Sequence, residues 1–486
     1  MIAAIRIACV MGLICLFAGV ASAQNDNWSV SAANWFQYWY YQDSTDTYID
    51  APYRSQKEDS VDNRFMVDFN FGDFYAGAWL RIFEPHRPDS SYERFAQRYF
   101  GWHDGNFTLH AGNFYQTFDR GLTLNAFLDD AIYFDNNLDG FKASALFNRL
   151  EFDAFSARAQ RFRSNDRIYT LRGIHGAIRP LMPLKLGASY VRFKQNDIIS
   201  PDYIRNTNVT GYSAQFSSEY LDLYGEYATR DGLNDFGAQV SGDGTYLSGS
   251  VNLGFANLYS EYKNYINLLY PDIQGSINVP PPVSHEGRTL ASLAGTNGEC
   301  GFLLGTLLSP TNYLNIDLSF SESNSRDHLF YLAEKYAGLR YQFEGITSFN
   351  FHWVRFDLTG EDEAQTYLDA YYYVNPVNTI SFIAYGKKFM PIDAESYHEN
   401  YLILGYSNAN LYSLSLGGST SNKLDAFPAA VGESRRTAFI ESTIHFKNHD
   451  LMIFHGVERG GFVCSSGLCQ YRPSFDGTRV ILFSRF

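Results

Sequence analysis

Residues 476–486 read D-G-T-R-V-I-L-F-S-R-F, and this last stretch of the chain decides how the rest is interpreted. Side chains alternate between the two faces of a β-strand, so Val480, Leu482 and Phe486 share one face. Arg479 lies on the other face. The stretch therefore predicts a final strand with one apolar face and one more polar face, which ends on an aromatic residue.

A strand of this kind, ending on Phe486, resembles the assembly signal of bacterial outer-membrane β-barrels. In that class the insertion machinery recognises the last strand, which then pairs with the first strand. Ser484 departs from the pattern, because an apolar residue is usual there, and Ile481 and Phe483 point to the expected lumen. The alternative is the ordinary C-terminal strand of a soluble β protein.

Residues 1–23 have the features of an export signal. Arg6 supplies the positive charge, a short apolar run follows it, and a small-x-small cleavage site ends at Ala23. The apolar run is too short for a transmembrane helix, and no stop-transfer charges follow it. We expect a cleaved Sec signal peptide and a single domain formed by residues 24–486.

The composition is acidic and rich in aromatic residues. The chain has 38 Lys and Arg against 52 Asp and Glu, a net charge of −14, which argues against nucleic acid as a partner. Aromatic residues make up 17% of the chain, as expected for a barrel with aromatic girdles at both membrane interfaces. There is no C-x-x-C-H motif and no cluster of His and Cys, so the sequence indicates no metal and no cofactor.

Short segments with alternating apolar and polar residues recur along the chain. In residues 64–71, Phe65, Val67 and Phe69 share one face, and Gly72-Asp73 forms a two-residue turn to the next segment. Tight turns of this kind alternate with longer polar connections. The longer connections are predicted at residues 42–62, 85–92, 116–137, 195–206, 231–243, 267–299, 322–328, 357–364, 388–396, 422–433 and 459–474.

These features predict an all-β fold, a single antiparallel transmembrane β-barrel of about 24 strands, within a range of 22–26. Its turns are short on the periplasmic side and its loops are long on the extracellular side. The first strand, at residues 27–41, is expected to pair with residues 475–486. No plug domain precedes that strand, which argues against a TonB-dependent receptor. A propeller or β-helix would need a regular internal repeat, and none is found.

Residues 112–144 contain the motif G-N-F-Y-x-x-F-x-R-G-L followed by D-N-x-L-x-G. This pattern resembles a group of large Gram-negative outer-membrane, porin-like barrel proteins whose function is not established. The resemblance implies a barrel and no particular activity. Arg120 within the motif is interpreted either as a pore-facing residue of a loop folded into the lumen or as a solvated residue of a tight glycine turn.

Charged residues fall on the strand faces that should line a water-filled lumen, where burial of charge is not prohibitive. The predicted pore-lining residues are Arg64, Asp68, Arg81, Arg120, Glu151, Asp153, Asp222, Glu226, Asp317, His352, Asp369, Glu441 and Arg479. Carboxylates are in the majority, which predicts a weak preference for cations. No Gly-x-Ser-x-Gly motif or other recognisable catalytic constellation occurs, so we predict no enzymatic activity.

The sequence therefore favours an outer-membrane channel for passive diffusion of small hydrophilic solutes in a Gram-negative bacterium. Its expected partners are outer-membrane lipid, the barrel-insertion machinery and those solutes. Two alternatives remain: a barrel scaffold that holds a lipoprotein or another partner, and an outer-membrane hydrolase.

A barrel of this size would leak unless something narrows it. The connections at residues 116–137 and 267–299 are the candidates, and we expect at least one to fold inward, the first before the second. Cys464 and Cys469 are predicted to form a disulfide outside the reducing cytosol, which leaves Cys300 unpaired.

Overall fold

A computed structural model describes most of the chain. The described residues are 28–41, 59–84, 92–129, 134–159, 169–196, 204–233, 239–270, 276–343, 345–422, 436–458, 461–465, 468–472 and 475–486. The predicted export signal, including Ala23, lies outside them and stays a prediction. Among the described residues, no helix is long and apolar enough to span a membrane.

The described structure contains 30 strands and one short helix. The strands are β1 (Trp28–Tyr41), β2 (Asp59–Phe71), β3 (Phe74–Glu84), β4 (Tyr92–His103), β5 (Phe107–Phe114), β6 (Gln116–Phe118), β7 (Leu124–Ala126), β8 (Leu128–Asp129), β9 (Phe134–Asp135), β10 (Leu138–Leu146), β11 (Leu150–Ala159), β12 (Tyr169–Leu181), β13 (Leu184–Asn196), β14 (Ile204–Ser217), β15 (Leu221–Leu233), β16 (Gln239–Asn252), β17 (Ala256–Ile266), β18 (Gly298–Thr311), β19 (Leu314–Ser325), β20 (Tyr331–Phe343), β21 (Thr347–Leu358), β22 (Glu361–Asn375), β23 (Asn378–Pro391), β24 (Tyr397–Asn408), β25 (Tyr412–Ser421), β26 (Arg436–Phe446), β27 (His449–Glu458), β28 (Gly461–Ser465), β29 (Leu468–Arg472) and β30 (Phe475–Arg485). The helix is α1 (Leu290–Ala294).

One antiparallel sheet of 24 strands forms the body of the molecule and closes on itself. It contains β1–β5, β10–β27 and β30, and each strand pairs with its neighbours in chain order. The last strand pairs with the first from Ala33 opposite Arg485 to Tyr41 opposite Gly477. The structure therefore confirms the predicted fold, strand number and closing pair.

Alternation along the strands gives the barrel an apolar outer face. Phe100, Leu109, Leu223, Leu304 and Leu416 are all exposed on that face. In water so large an apolar surface would be unfavourable, whereas a lipid bilayer covers it at no such cost. The closed barrel and its apolar outer band confirm the expectation of a Gram-negative outer-membrane barrel.

One predicted long connection is wrong. Residues 357–364 were expected to form a polar loop, but β21 continues to Leu358 and β22 begins at Glu361. Gly360 makes the tight turn between them at a φ of 92°, in the left-handed region that favours glycine. Polarity misled the sequence interpretation here, because both strands continue as paired strands through a charged stretch.

The remaining elements belong to the connections. β6 pairs with β7, β8 with β9, and β28 with β29, each as a small separate hairpin. The first two hairpins lie between β5 and β10, and α1 lies between β17 and β18. These connections supply the inner surfaces that position the candidate site.

Candidate functional site

The connection between β5 and β10, residues 115–137, packs inside the barrel; it is described except for residues 130–133. We call it the first inner segment. Its Phe118, Leu122 and Leu124 side chains are buried in one apolar cluster with the wall residues Val191 and Phe193. These wall residues alternate along β13 with exposed apolar residues of the outer face, so the segment lies against the inner face. The expectation that this segment folds inward is confirmed.

The turn at the tip of the first inner segment is held in a strained conformation. The amide of Gly121 donates to the carbonyl of Phe118 at 2.9 Å, and Asp119 adopts a φ of 51°. Asp119 Oδ2 lies 3.4 Å from His175 Nε2 on β12, and both side chains are buried. The ring of His175 stacks on Phe118 with centroids 5.2 Å apart. The sequence interpretation left a choice between a tight turn and an inward loop, and the structure combines the two.

The environment of Asp119 favours its charged form. Burial raises the pKa of this carboxyl, but His175 and the Ser213 hydroxyl more than offset burial, so the pKa lies below its usual value. His175 is the seventh residue of the 13-residue strand β12, so the tip reaches the middle of the wall. A charged group is therefore fixed at mid-height inside the barrel.

Glu226 on β15 anchors the same tip to the wall. Its carboxylate accepts hydrogen bonds from the backbone amides of Arg120 at 2.9 Å and Leu122 at 3.2 Å, and from the Tyr224 hydroxyl at 2.8 Å. The guanidinium of Arg120 lies over the Tyr224 ring, 5.4 Å from its centroid. Glu226 was predicted to line the pore, but it is only 2% exposed because the tip covers it.

The connection between β17 and β18, residues 267–297, is the second inner segment and is described except for residues 271–275. It packs on the first. The amide of Asn125 donates to the carbonyl of Ile277 at 2.6 Å, and Asn278 Nδ2 donates to the carbonyl of Leu122 at 3.3 Å. Apolar residues of both segments belong to one buried cluster. The two segments therefore form a single body inside the barrel, which we call the inner body.

Polar contacts fix the second inner segment to the wall at β20. Glu334 accepts hydrogen bonds from the Ser284 hydroxyl at 2.6 Å and from the backbone amides of His285 at 2.7 Å and Glu286 at 3.3 Å. Glu334 is 1% exposed. A buried carboxylate with this many donors is a stable anchor, because a charge-assisted hydrogen bond is stronger than a neutral one.

His285 and Arg288 extend the attachment of the second inner segment to neighbouring strands. His285 Nε2 lies 3.2 Å from Asp317 Oδ2 on β19. Burial lowers the pKa of His285, but the contacts with Asp317 and Glu286 outweigh burial and raise the pKa to about 9. Arg288 donates to Glu363 on β22 at 2.8 Å. The segment is thus bonded to β19, β20 and β22.

The long connections also meet over one mouth of the barrel. Helix α1 lies beside β18, β19 and the hairpin strand β29. That hairpin lies between β27 and β30 in the chain, whereas α1 lies between β17 and β18. These two places are ten strands apart in the ring of 24, so the hairpin reaches across the opening of the barrel. Within the hairpin the backbone register places Cys464 opposite Cys469. The side chains of residues 461–474 lie outside the described part, so the disulfide stays a prediction; Cys300 is free.

Most predicted pore-lining charges are paired on the wall. Asp62 joins Arg64 at 3.2 Å and Arg81 at 2.7 Å. The remaining contacts are Asp68 with the Tyr99 hydroxyl, Glu151 with Arg179 and Lys185, Asp153 with the Ser144 hydroxyl, Asp222 with the Ser217 hydroxyl, Asp317 with the Tyr259 hydroxyl, and Arg479 with Glu458. His352 stacks on Tyr367, Asp369 is 8% exposed, and Glu441 is half-buried opposite Phe454.

The sequence interpretation missed the residues that attach the inner segments. His175, Ser284, Glu334 and Glu363 were not singled out, although each takes part in the contacts described above. Their spacing along the chain carries no signal, because they meet only when the segments turn inward. Among the described residues, no group of three or more His, Cys, Asp or Glu could hold a metal ion.

The fold is similar to that of solved structures at low sequence identity. A chain of the E. coli P pilus tip assembly intermediate PapC-PapD-PapK-PapG matches with a TM-score of 0.57 and 10% identity. The match covers 95% of this chain, which spans only 61% of the length of that chain. The outer membrane protein opdK from Pseudomonas aeruginosa matches with a TM-score of 0.43 and 12% identity, over 70% of this chain and 96% of its own. At these identities the likeness concerns the fold alone.

Comparison by sequence gives a family without an activity. No curated protein matches the chain. The model of a family described as a family of unknown function (DUF6029) matches residues 4–261, which is more than half of the 486 residues. The sequence interpretation expected a barrel family of unestablished function. The chain belongs to this family of unknown function.

Proposed function

We propose that the protein is an outer-membrane channel for passive diffusion of small hydrophilic solutes, in which the two inner segments set the narrowest point. The observation that carries the proposal is the packing of one body, built from both segments, against the inner face between β10 and β22. The barrel wall alone would leave a wide aqueous opening. A channel that retains larger solutes needs such a constriction.

Part of the interior stays accessible beside this body. Tyr385 on β23 and Tyr401 on β24 face inward and yet are partly exposed. The Arg64 and Arg81 side chains, on the other side of the closing strand pair, keep 19% and 23% exposure. Exposed polar and aromatic side chains inside a closed barrel support a water-filled path along this part of the wall.

The proposed channel prefers cations weakly. Carboxylates such as Asp317 and Asp369 face inward, and Glu363 is shared between Arg288 and Lys387. Arg64 and Arg81 keep the preference modest. The reversal potential in a salt gradient measures this preference, and a strong selectivity for anions would contradict it.

Conductance in planar bilayers tests the proposed function. We expect discrete open steps from the purified protein. Deletion of residues 123–135 should raise the single-channel conductance, because it removes most of the first inner segment. An unchanged conductance from a deletion variant that still shows heat-modifiable migration would show that the first inner segment does not constrict the channel. Silence of the intact protein would instead favour a scaffold that holds a lipoprotein or another partner.

A further inference from the structure

A row of aromatic side chains crosses five neighbouring strands on the inner face. We call it the aromatic row, and its members are Tyr336 on β20, His352 on β21, Tyr367 on β22, Tyr385 on β23 and Tyr401 on β24. The last four are direct partners across successive strands. Tyr336 lies on the same strand as Gly338, two residues away, and Gly338 is the direct partner of His352. The Tyr336 ring lies over Gly338.

The rings contact one another along the whole row. Ring centroids are 5.8 Å apart from Tyr336 to His352, 4.8 Å from His352 to Tyr367, 6.2 Å from Tyr367 to Tyr385, and 5.7 Å from Tyr385 to Tyr401. His285 of the second inner segment stacks on Tyr336 at 3.5 Å and closes that end. The row therefore begins at the inner body and runs away from it along the wall.

The far end of the row keeps partial exposure on the inner face. His352 and Tyr367 are nearly parallel, with 15° between their planes, so they cover each other. The ring plane of Tyr385 is turned by 62° from that of Tyr367 and by 43° from that of Tyr401, so neither neighbour stacks flat on Tyr385. Tyr401 is followed on the next strand by Ser419, whose side chain is small. Tyr367, Tyr385 and Tyr401 keep partial exposure although they point into the barrel.

The row has the direction of a path through the membrane. Strands of transmembrane barrels are tilted by about 35–45° from the barrel axis and lie about 4.8 Å apart. A line of direct cross-strand partners is therefore inclined to the membrane plane by a similar angle. Over the direct partners from His352 to Tyr401 it climbs roughly 9 Å, about a third of the height of the apolar band.

Polar groups accompany the rings. Gln365 accepts a hydrogen bond from the Tyr385 hydroxyl at 2.9 Å and donates to Glu363 at 2.6 Å. Lys387 Nζ lies 3.8 Å from Glu363. On the other side of the row, Asp369 is 8% exposed, and its Oδ1 atom has no hydrogen-bond partner among the described residues. Such an orphaned buried acceptor is costly unless a ligand or water supplies a donor.

We propose that the aromatic row is a binding track for neutral oligosaccharides, and this inference rests on the proposed channel function. A sugar ring offers an apolar C–H face to the tyrosines and hydroxyl groups to Asp369, Gln365 and Glu363. A hydrocarbon would offer no hydrogen-bond donor to Asp369 Oδ1. A small inorganic ion would need the carboxylates but no series of rings. Both signs of charge flank the row, which favours a neutral ligand.

Titration calorimetry on the detergent-solubilised barrel tests the track directly. The probes are maltohexaose, cellohexaose and the hexamer of N-acetylglucosamine at millimolar concentrations. We expect at least one to bind, and Tyr385→Leu together with Tyr401→Leu should weaken that binding by about tenfold or more. Tyr385→Phe keeps the ring and should retain most of the affinity. Tyr372→Leu is the matched control, because Tyr372 lies on β22 but is 52% exposed on the outer face.

Bilayer recordings separate the track from the channel. The saccharide that binds should interrupt the current for longer than polyethylene glycol of the same size, and Tyr385→Leu should shorten these interruptions. Failure of all three saccharides to bind, or equal binding by the double variant after its folding is verified by heat-modifiable migration, overturns the track and leaves the channel standing. Saccharide binding to a barrel without conductance would overturn the channel and keep the site.

Discussion

The backbone amide of Arg120 donates to the carboxylate of Glu226 at 2.9 Å and joins the tip of the first inner segment to the barrel wall. The same carboxylate accepts the amide of Leu122 at 3.2 Å. Two amides of a turn that would otherwise need water are therefore satisfied by one buried wall residue. This relationship makes the position of the tip sensitive to a single side chain.

Glu226→Ala should release the tip. The substitution leaves the buried amide of Leu122 and the partly buried amide of Arg120 without an acceptor, which costs about 1–3 kcal/mol for a buried group that water does not satisfy. We expect a larger and noisier single-channel current. Asp222→Asn is the matched control, since Asp222 lies on the same strand and face and contacts Ser217 near the turn. Equal currents from both variants would show that Glu226 does not hold the tip.

Alkaline pH should loosen the second inner segment. The pKa of His285 is raised to about 9 in the folded protein, above its ordinary value of 6.5. Its ionic contact with Asp317 therefore contributes fully below pH 6.5 and is lost as the pH rises through about 9. The protection factors of residues 284–288, which are corrected for the intrinsic rise of amide exchange with pH, should fall between pH 8 and 10, in the range of this pKa. His285→Gln should show low protection already at neutral pH, and protection factors that fall with pH as they do in the parent would refute the role of His285.

Cys464 and Cys469 should be joined in exported protein. The register of the β28–β29 hairpin places their backbones opposite each other. Closing so short a ring should contribute about 2 kcal/mol or less to the stability of the hairpin. Mass spectrometry of peptides cut without reduction measures the pairing, and detection of both thiols as free would disprove it.

Removal of Phe486 should impair insertion into the outer membrane. The amide of Phe486 donates to the carbonyl of Ala32 at 2.8 Å, and the amide of Ala32 donates back at 3.2 Å. These bonds form the end of the closing pair, and their loss leaves that end of the first strand unpaired. The measurement is the fraction of heat-modifiable protein in isolated outer membranes. A Lys447→Ala variant at a neighbouring turn is the control, and equal amounts of both variants would contradict the prediction.

The fold could be predicted from the sequence. Alternation is a property of neighbouring residues, so segments such as residues 64–71 specify a strand with one lipid-facing side whatever their partners are. The terminal strand with Val480, Leu482 and Phe486 likewise specified its pairing with the first strand. The apolar content of residues 116–137 was enough to predict that this connection turns inward, because such side chains would otherwise be exposed to water.

Which inward residues are covered and which stay exposed depends on contacts that the sequence pattern does not contain. Glu226 and Asp317 both occupy inward positions of alternating segments. Glu226 is nevertheless buried under a turn whose Arg120 lies 106 residues away along the chain. Likewise, nothing local relates Tyr336 to Tyr401, whose alignment depends on the register of four successive strand pairs. Register and loop docking arise from contacts between distant parts of the chain. A pattern read along the chain specifies the faces of each strand, whereas the site depends on what those faces meet.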